Sequence, residues 1–298
     1  MKVISVFGGS GFLGSELIKS LKKKEIQIRL FTRNKLNANH LKVVPRLEII
    51  EITKKTNLKK ALVGSDIVID LVGILHESKS ESFDDIHAKR LKNIANAASG
   101  AGVKRFIHVG ALGSLKNAPS KYLQSKAKGE HFIRQECIKC TWTIFKPSII
   151  FGPKDKFINL FYTMVKCLPV ILLISPNAKF QPIYVNDVVE IIIKSFYDKK
   201  TFNKSYDLGG PKIYSFFEII KLIALFQKRG VWILPLSNKI SYIMVRIIEC
   251  LPLKIITRDN LKSMSIDNIT KTNDAYQFKP RLKTLTAYLK TKSSKGKL

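Results

Sequence analysis

The first chemically informative residues are three glycines near the start of the chain. Gly8, Gly11 and Gly14 separate an apolar, β-rich run from a helical pattern. Gly8 suits a tight turn, Gly11 lets the backbone approach a pyrophosphate, and Gly14 lets the helix pack closely on the strand. The amides and the dipole at the start of the helix favour an anion. This context predicts a dinucleotide site formed by Gly8, Gly9, Ser10, Gly11, Phe12, Leu13 and Gly14.

The residue after the second predicted strand selects between two dinucleotides. An acidic residue there would bind the ribose 2′-hydroxyl of NAD. This chain has Arg33 instead, followed closely by Lys35. A guanidinium can pair with the 2′-phosphate of NADP, which a carboxylate would repel. We therefore predict NADP(H) as the cofactor, with NAD(H) as the weaker alternative. A solvent-exposed surface arginine is the other interpretation of Arg33.

A tyrosine and a lysine four residues apart supply an acid–base pair. Tyr122 and Lys126 lie on one face of a helix predicted over 120–136. An ammonium beside a phenol stabilises the phenolate and lowers a tyrosine pKa that starts near ~10. The lysine can also bind the nicotinamide ribose. Because the pair follows a dinucleotide turn and a fifth strand, we interpret it as catalytic rather than as a chance spacing on a surface helix.

The elements that must position these residues alternate between strand and helix. Strands are predicted at 2–8, 27–32, 47–52, 67–72, 105–110 and 141–145, and helices at 12–24, 58–63, 83–101 and 120–136. The fourth strand carries no charge except Asp70, as expected of a strand that is covered on both faces. This alternation predicts a Rossmann-type, doubly wound α/β fold with a parallel sheet.

The regular alternation ends after Pro147. Prolines then separate short apolar segments, with strands predicted at 181–185 and 205–208 and helices at 187–197, 214–226 and 239–250. We predict an NADP-binding Rossmann domain over 1–150 and a small C-terminal α/β lobe, intertwined with it, over 151–290. The remaining residues, 291–298, are predicted to form a disordered basic tail.

Several runs of the sequence together resemble a known family. VFGGSGFLG, LVGIL, SKYLQSKAKGE, WTIFKPSIIFGP and FQPIYVNDVV are similar to runs of the extended and atypical short-chain dehydrogenase/reductases, which include epimerase/dehydratase-like proteins. The chain most resembles the branch that contains the alpha-subcomplex subunit nine of respiratory complex I and its bacterial relatives. The resemblance implies tightly held NADPH in an accessory or assembly component of complex I or quinone metabolism.

The same resemblance implies further cofactor contacts. They are expected at Glu51, Ile52, Leu71, Val72, Gly73, Lys126, Pro147 and Ile149. For Glu51, an exposed charge at a strand end is the alternative interpretation.

One position departs from the pattern of active family members. The resemblance implies a serine or threonine just after the fifth strand, where this chain has Ala111. Ser114 lies a few residues later. Losing one polarising donor from such a site costs about 3 kcal/mol of transition-state stabilisation. We therefore predict a binding protein with little or no turnover. The alternative is an active NADPH-dependent reductase or a nucleotide-sugar epimerase or dehydratase.

The composition limits other function classes. The chain has 298 residues, of which 52 are Lys or Arg and 22 are Asp or Glu, which gives a formal net charge of +30. The basic residues are mostly lysines spread along the whole chain, which is not typical of a specific nucleic-acid reader. Compositional lysine enrichment accounts for this charge, and nonspecific attraction to anionic surfaces is its physical by-product.

Metal, disulfide and membrane-spanning functions are not indicated by the sequence. Four scattered cysteines, including Cys137 and Cys140, and five unpatterned histidines give no metal-ligand spacing and no disulfide framework. No apolar stretch is long enough to span a bilayer, so no transmembrane segment is predicted. We expect a cytoplasmic protein, with peripheral attachment to the inner face of the membrane left open.

Two apolar stripes on helices of the small lobe suggest a docking role. The stripe within 239–251 consists of Ile240, Ile243, Met244, Ile247, Ile248 and Leu251, and that within 157–168 of Ile158, Leu160, Phe161, Met164 and Val165. Amphipathic helices of soluble proteins usually face a core. With the basic net charge, however, these stripes also suit docking on respiratory-chain subunits or on an anionic membrane surface.

Overall fold

The computed structural model of the chain describes residues 1–22, 25–249 and 256–295. Its strands are β1 (Lys2–Phe7), β2 (Ile26–Thr32), β3 (Leu47–Glu51), β4 (Ile67–Asp70), β5 (Arg105–Val109), β6 (Thr141–Pro147), β7 (Ile150–Phe151), β8 (Val170–Leu173), β9 (Lys179–Phe180), β10 (Ile183–Tyr184), β11 (Lys204–Leu208), β12 (Tyr214–Ser215) and β13 (Trp232–Pro235). Its α-helices are α1 (Phe12–Leu21), α2 (Leu58–Leu62), α3 (Arg90–Gly100), α4 (Lys121–Glu136), α5 (Phe157–Cys167), α6 (Val185–Lys194), α7 (Phe216–Gln227), α8 (Asn238–Glu249), α9 (Arg258–Ser263), α10 (Ala275–Phe278) and α11 (Leu285–Lys295).

Seven of the strands form one sheet in the order β11-β6-β5-β4-β1-β2-β3. The pairs from β3 through to β6 are all parallel. This strand order reverses between β1 and β4, which is the topological switch point of a doubly wound fold. The predicted Rossmann-type fold is therefore confirmed.

Apolar periodicity explains how these elements pack. Every residue of β4 is buried, and α1 buries Leu17, Ile18 and Leu21 on one face. Phe7 and Phe31, at the ends of β1 and β2, stack with their ring centroids 4.7 Å apart. Removing these side chains from water supplies the main driving force for this half of the fold.

The helix predicted over 83–101 differs from a regular α-helix at its start. Asp84–Lys89 forms a π-helical turn that continues directly into α3. Single π turns of this kind are rare and are frequent at functional sites. A 3₁₀ segment, Lys35–Leu41, likewise follows β2, with the side chain of Asn34 accepting a hydrogen bond from its first turn.

The contacts divide the chain into two units. The first contains Met1–Lys116, Gln124–Lys146 and Val189–Tyr206, and the second contains Asn117–Leu123, Pro147–Val188 and Asp207–Leu298. The predicted boundary at residue 150 lies close to Pro147. The predicted strand at 205–208 also forms part of the large sheet, because β11 pairs with β6 at its edge.

The second unit has its own apolar core. Its buried members include Phe151, Ile158, Val165, Phe180, Phe216, Ile219, Ile223, Val245 and Leu289. Of the stripe on α5, Ile158 and Val165 are buried in this core, and Phe161 and Met164 pack against it. On α8 only part of the predicted stripe packs inward, since Ile240, Ile243 and Ile247 are exposed, and Leu251 lies outside the described residues.

A helix extends into the segment where a disordered tail was expected. Helix α11 extends to Lys295, and it buries Leu285, Tyr288 and Leu289. Residues 291–295 of the predicted disordered tail are helical, as the last part of a helix whose Leu285, Tyr288 and Leu289 pack in the core of the second unit. Residues 296–298 of that prediction lie outside the described residues. In the described part of the chain, no helix has the length and hydropathy needed to cross a bilayer.

Candidate functional site

The turn after β1 leaves no room for side chains at two of its glycines. Gly8 has a φ of +77°, in the left-handed region, and a Cβ there would lie 2.9 Å from the backbone nitrogen of Val72. A Cβ on Gly14 would lie 2.3 Å from the carbonyl oxygen of Gly8. Both positions require glycine, because each neighbour is backbone and cannot move aside. The turn is thus held tightly against the segment that follows β4.

Helix α1 begins with amide groups that lack a side-chain acceptor among the described residues. Gly11 is the N-cap residue, and the first turn contains no acidic side chain. The first N–H groups of a helix have no acceptor within the helix, so this end favours an anion. Ser10, Gly11 and Phe12 reach the surface here, whereas Gly9 and Leu13 are buried.

The segment after β4 brings Gly73 to Lys126. The backbone nitrogen of Leu71 donates to the carbonyl oxygen of Phe7 at 3.0 Å, which fixes the segment beside the glycine turn. A Cβ on Gly73 would lie 3.2 Å from Nζ of Lys126. The glycine turn, residues 71–73 and the predicted lysine therefore lie together in the first unit.

Lys126 is buried among charges of both signs. Its residue is 5% exposed, and burial lowers the pKa of its ammonium to about 8. The carboxylates of Asp70 and Glu130 oppose this shift, and the guanidinium of Arg90 adds to it. Near pH 8 the protonated and the neutral forms of Lys126 are therefore both populated, and both forms can donate hydrogen bonds.

A buried triad at the ends of β4 and β5 was not predicted as a site. Asp70 Oδ2 accepts a hydrogen bond from His108 Nδ1 at 3.0 Å, and its Oδ1 lies 2.8 Å from an Arg90 nitrogen. Burial alone would raise the pKa of Asp70, but Arg90 and His108 hold it well below its usual value. Burial lowers the pKa of His108. Asp70, the charged residue of an otherwise uncharged predicted strand, was the only sequence signal for this arrangement.

His87, in the π-helical turn, holds the segment after β4 in place. Its Nε2 accepts a hydrogen bond from the backbone nitrogen of Ile74 at 3.0 Å, and its Nδ1 lies 2.9 Å from Oγ of Ser125. An Nε2 that accepts from an amide is unprotonated, so Nδ1 carries the proton. Burial, followed by the charge of Lys126, lowers the pKa of His87 to about 2. The His87 imidazole is therefore uncharged at neutral pH, and it links the segment after β4 to α4.

Tyr122 belongs to the second unit, unlike Lys126, although both lie on α4. Burial raises the pKa of its phenol to about 12. The expectation of a lowered tyrosine pKa is therefore wrong, because the cost of burying a phenolate is the dominant effect.

A carboxylate from far along the chain caps the start of α4. Asp259, in α9, accepts hydrogen bonds from the backbone nitrogens of Lys121 at 2.7 Å and Tyr122 at 3.0 Å. An anion at a helix N-terminus satisfies free amides and complements the helix dipole. The similarity of 257–260 to the family was the only sequence signal for this position.

At the position after β5 where active family members are expected to have a serine or threonine, the chain has no hydroxyl group. Ala111 is buried there, and Ser114 donates its hydroxyl hydrogen to Glu130 Oε1 at 2.5 Å. Since the hydroxyl has only one hydrogen, Ser114 cannot donate to a second acceptor at the same time. Burial raises the pKa of Glu130, against the effect of its bond to Ser114.

The residues expected at the adenosine end lie on neighbouring strands. Glu51 ends β3 opposite Thr32 in the register, and the nitrogen of Ile52 donates to the carbonyl oxygen of Thr32 at 2.8 Å. Arg33 follows Thr32 directly, and its guanidinium contacts the carboxylate of Glu81. Glu51 is exposed, which fits either interpretation of it.

Two other expected contacts lie in the second unit. Pro147 is the buried last residue of β6, and Ile149 packs against the apolar core of that unit. The two cysteines with metal-like spacing, Cys137 and Cys140, are buried in an apolar cluster of the first unit. Among residues 1–22, 25–249 and 256–295, no three His, Cys, Asp or Glu side chains are grouped as metal ligands.

A family model described as NAD(P)H-binding matches residues 8–156, a range that contains the glycine turn, β2 to β6 and Lys126. The chain belongs to this NAD(P)H-binding family. Its doubly wound sheet and glycine turn are therefore those of a nicotinamide dinucleotide-binding protein.

Relatives of this NAD(P)H-binding chain include subunits of mitochondrial NADH dehydrogenase [ubiquinone]. The mitochondrial NADH dehydrogenase [ubiquinone] 1 alpha subcomplex subunit 9 of Mus musculus is 33% identical over 74% of this chain and 60% of the relative. The subunit of the same name from Dictyostelium discoideum is 31% identical over 79% of this chain and 67% of the relative. The predicted resemblance to this branch is confirmed, and the chain spans only about two thirds of its relatives' length.

A solved structure supports the fold of this NAD(P)H-binding chain. The NADPH-dependent quinone oxidoreductase of Escherichia coli, complexed with NADPH, superposes with a TM-score of 0.77 over 99% of this chain and 100% of the other. The two sequences are 16% identical, so the likeness shows the shared fold alone.

Proposed function

We propose that this chain binds NADP(H) with little or no turnover, as an accessory or assembly component linked to respiratory complex I or quinone metabolism. The observation that carries the proposal is the start of α1, whose amides lack a side-chain acceptor within the described residues. They lie at the switch point of the sheet, where doubly wound folds bind dinucleotides. The similarity to subunits of a respiratory enzyme supports the accessory role.

The residues of the first unit fit the dinucleotide. Gly8 and Gly14 have no space for a side chain, which leaves backbone as the lining of the turn. The turn residues from Gly8 to Gly14 would hold the pyrophosphate, and Lys126 would donate to the nicotinamide ribose. When bound, the nicotinamide supplies a hydride donor or acceptor.

Arg33 is the residue proposed to select NADP(H). Its guanidinium would pair with the 2′-phosphate, with Lys35 nearby and exposed. One charge-assisted contact of this kind is worth about 1.5–3 kcal/mol, which is about a ten- to hundredfold preference over NAD(H).

Low turnover is proposed from the chemistry around α4. Ala111 provides no hydroxyl, and the hydroxyl hydrogen of Ser114 is donated to Glu130. Tyr122 has a pKa raised to about 12, so it holds its proton at neutral pH. Missing one polarising donor corresponds to about a hundred- to thousandfold loss in rate.

Mass spectrometry of nucleotide released from the purified chain tests binding, and titration with NADPH and NADH tests preference. We expect NADPH to be released and to bind more tightly than NADH, with a smaller ratio in Arg33→Ala. We expect Lys126→Ala to weaken binding and Tyr122→Phe to leave it nearly unchanged. Equal wild-type affinities, or the same ratio in Arg33→Ala, would contradict the NADP(H) assignment.

The rival function is an active reductase or nucleotide-sugar epimerase or dehydratase, which the presence of both Tyr122 and Lys126 favours. A screen of quinones and nucleotide sugars tests it. A kcat of about 1 s⁻¹ or more, abolished in Tyr122→Phe, would establish this rival. We expect rates far below that value.

For the second unit we propose a docking role toward a respiratory-chain subunit. On the parallel pair β8–β13, Trp232 lies opposite Val170 and Leu234 opposite Leu172, and all four side chains are exposed. Helix α8 of the same unit exposes Ile240, Ile243 and Ile247. Exposed apolar patches are typical of interaction sites.

Paired substitutions test the docking proposal. Ile243→Asp with Ile247→Asp should abolish binding to the purified respiratory complex while the chain stays folded. Val43→Asp with Val63→Asp adds the same charges at exposed positions of the first unit and serves as the matched control. If the Ile243→Asp and Ile247→Asp variant keeps its binding to the complex but no longer floats with anionic vesicles, the partner of this surface is lipid instead. Unchanged association in both assays would exclude the surface.

A further inference from the structure

The dinucleotide-selecting arginine of the proposed function is already paired. The guanidinium of Arg33 contacts the carboxylate of Glu81, a residue 48 positions later in the sequence. The Arg33 side chain is 66% exposed and that of Glu81 is 24% exposed. The pair is therefore open to solvent on the arginine side and more enclosed on the glutamate side. A ligand phosphate can reach the guanidinium only in the presence of this carboxylate.

Glu81 is held in place by a turn that does not depend on Arg33. The carbonyl oxygen of Glu81 accepts a hydrogen bond from the nitrogen of Ser78 at 2.9 Å. Glu77 Oε1 accepts from the nitrogen of Phe83 at 2.8 Å, and the buried ring of Phe83 stacks on His87 with centroids 5.5 Å apart. The turn thus presents the Glu81 carboxylate from an anchored backbone.

The backbone that carries Arg33 is also fixed. Oγ1 of Thr32 donates to the carbonyl oxygen of Asn34 at 3.0 Å, and Oδ1 of Asn34 accepts from the nitrogen of Leu36 at 2.8 Å. Only the side chain of Arg33 can move far when a ligand arrives. An anion that pairs with the Arg33 guanidinium at this position therefore lies close to the Glu81 carboxylate.

We propose that Glu81 is a specificity-determining residue that reduces the preference for NADPH over NADH. This inference rests on the proposed function. The 2′-phosphate must take the guanidinium from Glu81 and then lie near a carboxylate of like charge. The 2′-hydroxyl of NADH meets no such repulsion, and it can donate a hydrogen bond to a carboxylate. Glu81 therefore supplies, from another loop, the acidic group that the end of β2 lacks.

Titration of NADPH and NADH against four variants tests this role. Glu81→Gln should tighten NADPH binding about three- to tenfold, the range for loss of one exposed ion pair and its repulsion. Binding of NADH should stay equal or weaken slightly. The gain should disappear when Arg33→Ala is added. Glu48→Gln is the matched control, because it removes a different carboxylate of the first unit that is also paired with an arginine, 3.5 Å from an Arg29 nitrogen.

The outcomes separate this inference from the proposed function. If Arg33→Ala lowers the ratio of affinities but Glu81→Gln leaves it unchanged, Arg33 selects the phosphate and the role of Glu81 is overturned. If Glu81→Gln tightens NADPH equally with and without Arg33, or no more than Glu48→Gln does, the pairing mechanism is also overturned. If the wild type binds neither dinucleotide, the proposed function itself fails and the inference fails with it.

Discussion

Charged side chains meet in two regions of the first unit, and burial separates their roles. At the ends of β4 and β5, Asp70 and His108 are almost fully buried and Arg90 is mostly so. At the end of β2, Arg33 and Glu81 form a pair that is partly open to water. A buried carboxylate cannot leave its partners without a large desolvation cost, whereas an exposed pair exchanges partners easily. The buried side chains of Asp70, His108 and Arg90, called the fixed frame below, therefore keep their partners, whereas Arg33 and Glu81 can exchange theirs.

Asp70→Asn tests the fixed frame and should have the largest effect. The variant leaves Arg90 without its counter-ion in a mostly buried position, so we expect a loss of about 3–5 kcal/mol in the free energy of unfolding. Urea denaturation measures it, and adding Arg90→Met should recover part of the loss. A loss below about 1 kcal/mol would mean that these charges are as exchangeable as the exposed pair.

The same residue predicts an acid limit for the wild type. Because the folded pKa of Asp70 is lowered, its contribution is present above the unfolded value near ~4 and is lost as the pH falls below it. The stability of Asp70→Asn should lack this part of the pH dependence.

Lys126→Met tests whether the frame holds a costly charge. The pKa of Lys126 is lowered from 10.5 to about 8, so the unfolded chain binds this proton more tightly. Removing the ammonium should stabilise the chain at pH 7 by about 3 kcal/mol at most, while weakening dinucleotide binding. The wild type, but not the variant, should gain stability as the pH rises from 8 to 10.5. Lys121→Met, at an exposed position of the same helix, is the control, and equal effects of both would refute the argument.

Asp259→Ala should have an intermediate effect. Its carboxylate caps α4 from α9, so its removal should cost about 0.5–2 kcal/mol. Denaturant unfolding measures this loss, and Asp267→Ala, at an exposed acidic residue of the same unit, is the control. If Asp259→Ala loses no more stability than Asp267→Ala, water replaces the carboxylate as the acceptor at the start of α4.

Arg33→Ala should have the smallest effect on stability. Exposed ion pairs contribute at most about 1 kcal/mol, so the free energy of unfolding should change by less than that. Thermal unfolding at low and high salt measures the change. A loss as large as that of Asp70→Asn would remove the distinction between the two regions.

The strands and helices of the first half of the chain could be predicted from the sequence, because the patterns that indicate them are local. Alternating strand and helix patterns identified β1 to β6, and glycine spacing identified the turn, since each depends on residues within a few positions. The wrong or missing predictions involve distant partners. The place of β11 depends on the open edge of β6, and the helix at Leu285–Lys295 depends on a core formed elsewhere in the second unit.

The same limit applies to the site. Lys126 beside Gly73 could be expected from the fold, because the ends of parallel strands meet at one edge. The pairing of Arg33 with Glu81 could not, because both are common surface residues without local spacing. The raised pKa of Tyr122 was also missed, because the depth at which a side chain is buried is not visible in its helical position.

The capping of α4 by Asp259 has a consequence for the synthesis of the chain. The acceptor for the amide of Lys121 lies 138 residues downstream. At about 5–20 residues per second, a ribosome needs about 7 to 28 seconds to add that stretch. During this interval the nascent helix that carries Tyr122 and Lys126 begins without its cap. A chain released before residue 259 would keep the glycine turn and lose this support of the tyrosine.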